Sequence, residues 1–107
     1  MVTLTLTLNW KKRSTYNIIL TQDTKLKFIA PYVQKKKGKP NNLILNIEQD
    51  EFGGHILFLQ GDIVWSENKL PEFTFGTGWV DVVTLYYLNK KYYAIASLGF
   101  KKGEKTK

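Results

Sequence analysis

VDVVTLYYLNKKYYAIASL, residues 80–98, is the stretch on which the fold turns. Val80–Leu88 and Tyr92–Leu98 are dense in Val, Tyr, Ile and Leu, side chains that fit a pleated, half-buried surface. Asn89-Lys90-Lys91 separates them, which predicts a β-hairpin. Asn89 tolerates left-handed φ, whereas Lys90 stands where a type I′ turn favours glycine. A two-residue turn and a connection of three or more residues both fit. The neighbours Tyr86-Tyr87 and Tyr92-Tyr93 must point to opposite faces of a sheet, so one of each pair belongs to the core.

Upstream the same signal recurs. Val2, Leu4, Leu6, Leu8 and Trp10 alternate with Thr3, Thr5, Thr7 and Asn9, a period of two that marks a strand. Tyr16–Leu20 and Leu26–Ile29 follow, divided by the turn-forming Thr21-Gln22-Asp23-Thr24. Residues 31–42 hold two prolines, a glycine and four lysines and read as a loop. Leu43–Ile47 and His55–Leu59 flank a turn ending in Gly53-Gly54, which reads as a second hairpin with positive φ at the glycines. Ile63–Trp65 and Phe73–Phe75 add short strands. No segment carries a helical period. Eight or nine short strands without a helix imply an all-β sandwich or barrel.

The 107 residues suit one domain with one core. With no cysteine, disulfides and cysteine zinc sites are excluded. No run approaches the roughly 20 apolar residues that span a bilayer, and the start of the chain lacks the pattern of a signal peptide. The net charge of +7 is clustered at Lys11-Lys12-Arg13, at Lys35-Lys36-Lys37-Gly38-Lys39 and in the tail from Lys101 to Lys107. Such clusters can meet phosphates or an acidic protein surface. As solvated loops they equally keep a strand-rich chain soluble and guard its edges.

Nothing in the sequence assembles a catalytic constellation, so no enzyme, cofactor or metal is expected. His55, the single histidine, lies beside the glycine turn without a nucleophile or ligand partner at a recognisable spacing. Glu48, Asp50 and Glu51 do not follow a calcium-loop pattern and read as a solvated turn. Gly76-Thr77-Gly78 is too short to cradle a phosphate and precedes a strand rather than a helix. The remaining candidates are aromatic. Trp79, Tyr86 and their neighbours, interleaved with Lys90 and Lys91, are the residue types that stack on sugars or bases. The pattern of an RNA recognition motif is absent.

From Leu45 to Phe100 the order of features resembles a family of phage virion modules, the β-sandwich domains near the C-terminal ends of tail-fibre, head-fibre and related structural proteins. The matching positions are Gln49-Asp50 with Gly53-Gly54, the strand His55–Leu59, and Trp65. Pro71 with Thr74 and Gly76, Asp81-Val82-Val83, Tyr86-Tyr87, Tyr92-Tyr93 and Phe100 complete the series. The chain departs from the pattern at Asn89-Lys90-Lys91, where such modules often carry an Asp-Gly-Thr turn. It departs again after Leu59-Gln60-Gly61, where they often have a proline.

The resemblance implies an antiparallel, jelly-roll-like β-sandwich over residues 1–100 with a basic tail at 101–107. It implies a non-enzymatic virion protein, often trimeric, that docks on other capsid or fibre proteins as a decoration or fibre component. Lys101, Lys102, Lys105 and Lys107 are the tail residues expected to grip an acidic partner in a salt-sensitive way, with Trp79 and Tyr86 as further contacts. Two alternatives stand beside it: a tip domain binding a host receptor or glycan through Trp79 and exposed tyrosines, and a small basic nucleic-acid-binding barrel.

Overall fold

The computed structural model describes residues 3–31, 41–66 and 73–101, with 96–98 in backbone only. Eight strands are present among them. They are β1 (Leu4–Asn9), β2 (Thr15–Leu20), β3 (Thr24–Ile29), β4 (Asn41–Gln49), β5 (Leu57–Leu59), β6 (Ile63–Trp65), β7 (Trp79–Leu88) and β8 (Lys91–Lys101). They form two sheets, β1-β3-β5 and β2-β4-β7-β8-β6. Phe73–Phe75, expected as a short strand, is irregular.

The directions of pairing correct the antiparallel, jelly-roll-like expectation. β1 with β3, β3 with β5, β2 with β4 and β6 with β8 are all parallel. Only β4 with β7 and β7 with β8 are antiparallel. The cause is the winding: from β1 to β6 the chain changes sheet at every connection, so strands that become neighbours are never consecutive. The β7–β8 hairpin is inserted between β4 and β6.

Gln49 explains why Leu43–Ile47 and His55–Leu59 do not make the expected hairpin. Its buried side chain accepts from the His55 N–H (3.0 Å) and donates to the His55 carbonyl (2.8 Å), taking the place of a ladder partner at the end of β4. Gly53 and Gly54, at φ +67° and +74°, then carry the chain to the other sheet. The β7–β8 connection is the two-residue form: Leu88 pairs with Lys91, and Asn89 and Lys90 have φ of 53° and 62°, as a type I′ turn requires.

Alternation places the core. Leu43, Leu45 and Ile47 of β4 and Val83 and Leu85 of β7 are almost wholly buried, as are Leu20 of β2 and Leu26 of β3. Each such side chain contributes about 1.5–3 kcal/mol by leaving water. At one end the rings of Trp10, Phe28, Tyr87 and Tyr92 meet at centroid distances of 5.0–6.3 Å. Tyr87 and Tyr92 are therefore the core members of their pairs, and Tyr86 and Tyr93 lie opposite one another on the outer face.

Candidate functional site

Two surfaces stand out, both apolar. The first is a groove of about 730 Å³ at the side of the molecule where β5 and β6 end the two sheets. Leu57, Leu59, Ile63 and Trp65 line it, with Phe73 and Phe75. Gln60 also lines it, but its amide is committed: Oε1 accepts from the Phe28 N–H (2.9 Å) and Nε2 donates to Asp62 (2.7 Å). None of the described lining residues is titratable, so the groove offers apolar contact rather than acid–base chemistry.

Phe73 and Phe75 are held there by a polar clasp. Asp81, buried at the start of β7, accepts from the Thr74 N–H (2.7 Å) and hydroxyl (2.9 Å). The Gly54 N–H donates to the Phe75 carbonyl (2.9 Å). Asp50 fixes the turn beneath by accepting from the N–H groups of Phe52 and Gly53, each at 3.1 Å, and sits 2.9 Å from His55 Nε2. Burial works to raise the Asp50 carboxyl, but the His55 hydrogen bond, the two N–H groups and the nearby imidazole prevail and hold it below its ordinary value. His55 thus braces the turn before β5, rather than opening the expected strand His55–Leu59.

The second surface is the outer face of the five-stranded sheet. In register across it run Asn42, Tyr86, Tyr93 and Val64, then Thr15, Ile44, Thr84 and Ile95, then Asn17, Asn46 and Val82, the two amides bonded to each other at 2.9 Å, then Ile19, Glu48, Val80 and Phe100. Ile19 is 57 % exposed and Ile95 48 %, where an outer face is ordinarily polar.

The expected contact residues are dispersed. Trp79 is exposed at the start of β7, opposite Lys101 at the end of β8. Tyr86, seven positions along the same strand, has the other parity and joins the outer face. The two aromatics cannot form one platform. Lys102, Lys105 and Lys107 lie outside the described residues.

No family model matches the chain, and no curated protein or solved structure does either. What the surfaces do must therefore follow from their own chemistry. Among the described residues no group of three or more metal-ligating side chains gathers. The groove escaped the sequence because its walls come from three separate segments. The only local hint was Phe58, an outward-facing aromatic in a short strand, exposed at 48 %.

Proposed function

We propose that the chain is a non-enzymatic virion protein that docks through the outer face of its five-stranded sheet onto a complementary apolar surface of another capsid or fibre protein. The observation that carries docking is the exposure of Ile44, Ile95 and Val64 on neighbouring rows of that face, with Ile19 and Phe100 exposed beyond the Asn17–Asn46 row. Contiguous exposed apolar patches mark interaction surfaces. The virion setting rests on the order of features from Leu45 to Phe100, with which the two packed sheets agree only as an all-β architecture.

The experiment is quantitative mass spectrometry of purified particles of the virus carrying this reading frame. A fixed copy number relative to the major capsid protein supports a decoration or head-fibre role. A few copies place it in the tail, and complete absence from the particle rejects the proposal. Ile44→Lys with Ile95→Lys should abolish incorporation without unfolding the domain. Full incorporation of that variant would remove the face from the mechanism.

A further inference from the structure

The four strands that end the two sheets, β1, β2, β5 and β6, contain no charged residue. The four interior strands each contain at least one: Lys25 and Lys27 in β3, Glu48 in β4, Asp81 in β7, Lys91 and Lys101 in β8. This reverses the usual arrangement, in which edge strands are blunted by charge or proline so that they do not pair with other chains. In a chain with 25 Lys, Arg, Asp and Glu residues, uncharged edges at both sides of both sheets leave four templates for pairing among the described residues.

The directions of these edges match. β1, β3 and β5 all run the same way. Following the other sheet, β6 is parallel to β8, β8 antiparallel to β7, β7 antiparallel to β4 and β4 parallel to β2, so β6 and β2 also run the same way. Because one sheet has three strands and the other five, a second copy must be rotated as well as displaced across the strands to set its β1 beside β5 and its β2 beside β6, both parallel. That repeats the pairing the chain already uses between β1 and β3 and between β2 and β4.

The main-chain groups agree. Thr24 N–H donates to the Ile56 carbonyl and Gln60 N–H to that of Leu26, so even-numbered residues of the β5 segment serve β3. Leu57 and Leu59 then direct their N–H and C=O groups to the open side. On β1, Leu4 and Trp10 donate towards β3, at the carbonyls of Asp23 and Ile29, which leaves Thr5 and Thr7 facing outward. Inward side chains meet inward side chains in this register. The neighbour's Leu4, on the core-facing side of β1 yet 36 % exposed, would be covered by the groove that Leu57, Leu59, Phe73 and Phe75 line.

Charge is complementary as well. The β1–β2 connection carries the exposed Lys12 and Arg13, and the β5–β6 connection carries the exposed Asp62. Because both connections cross between the sheets at the same end of the strands, stacking sets Asp62 beside the neighbour's Lys12 and Arg13.

We propose that the chain self-associates end to end, the β5 and β6 edges of one copy receiving the β1 and β2 edges of the next. Such a contact is heterologous, so it closes into a ring or grows as a filament. It rests on the strand edges and does not depend on the virion setting or on the outer sheet face.

Sedimentation velocity of the purified full chain over a wide concentration range tests it. The wild type should associate reversibly. Thr5→Pro with Thr7→Pro removes two N–H groups that point away from β3 and have no partner among the described residues, positions where a strand tolerates proline. It should weaken association at least about tenfold while leaving the melting temperature nearly unchanged. Asp62→Lys should weaken association, as should Lys12→Asp with Arg13→Asp, and combining the three in one chain should restore it. The charge variants keep the test decisive should the proline variant fail to fold. A wild type that stays monomeric overturns the proposal. So does association that survives these changes but is lost in Ile95→Lys, which would assign self-contact to the outer face.

Discussion

Asp81 leans over Gly99, its partner across the β7–β8 ladder, so closely that a Cβ at residue 99 would lie 2.8 Å from Asp81 Oδ1 and 3.1 Å from Thr74 Oγ1. The glycine makes room for a carboxylate whose two oxygens hold the Phe73–Phe75 segment in place. The fit depends on β8, where one extra residue between the partners of Val82 and Thr84 shifts the register and brings residue 99 opposite Asp81. Gly99→Ala should displace the carboxylate, cost about 1–3 kcal/mol in chemical denaturation, and free the rim of the groove. An unchanged unfolding midpoint would show that Asp81 can swing aside without losing Thr74.

The hairpin turn carries strain that a single change relieves. Lys90 sits at φ 62°, a region in which an L side chain other than Asn or Asp is held at a cost. Lys90→Gly gives the Asn-Gly pair that type I′ turns favour and should raise stability by about 0.5–1 kcal/mol, visible as a higher melting temperature. Lys90→Ala should give no such gain.

Adjacent glycines should respond unequally. Gly53 has positive φ, and an added Cβ there would also lie 2.8 Å from the Phe75 carbonyl oxygen, which is backbone. Gly54 has positive φ with nothing within 4 Å of such a Cβ. Gly54→Ala should cost about 1–2 kcal/mol from φ alone, and Gly53→Ala clearly more. Equal losses in urea unfolding would mean that the Phe75 segment moves freely away.

The fold should weaken at both ends of the pH scale. The Asp50 carboxyl is held low in the folded chain, so its contribution is complete above the ordinary value of about 3.9 and is lost as pH falls through the depressed folded value. Burial pushes the Tyr92 hydroxyl up, helped by Tyr87 and Asp62 and opposed by Gln60. Its contribution is complete below about 10 and is lost as pH rises through the raised folded value. Asp50→Asn should flatten the acid limb of a melting-temperature profile, and Tyr92→Phe the alkaline limb. Limbs that keep their slopes would assign the pH dependence to other groups.

Strand positions were legible because alternation survives without knowledge of partners. Leu4 to Leu8 shows it, while Leu43 to Ile47 and Val80 to Leu88 stand out by their density of apolar side chains, and each lies within a strand. Direction was not legible. An inward-facing row of leucines serves a parallel neighbour and an antiparallel one equally, so the pattern favoured a hairpin wherever a glycine turn intervened. At Gly53-Gly54 this failed, since the side chain of Gln49, rather than a strand, takes up the main chain of His55. The opposed faces of Trp79 and Tyr86 could have been read from their odd spacing. The groove could not, because Phe73 and Phe75 reach it through bonds between residues distant in sequence.

Changing sheet at every connection has a kinetic consequence. β1 must wait for β3, and β2 for β4, with a strand of the opposite sheet formed between each pair. β6 finds its sheet partner only in β8, and β4 reaches its second neighbour only in β7. The three-stranded layer has all its strands once β5 is made, whereas the five-stranded layer waits for β8, and the pairing closed by a tight turn is β7 with β8. Folding rates fall as contacts become less local, which places this chain among the slower small domains. On the ribosome the last hairpin to emerge is the one that joins β4 to β6 within the five-stranded sheet, so the chain commits to its native arrangement only after β8 has been synthesised.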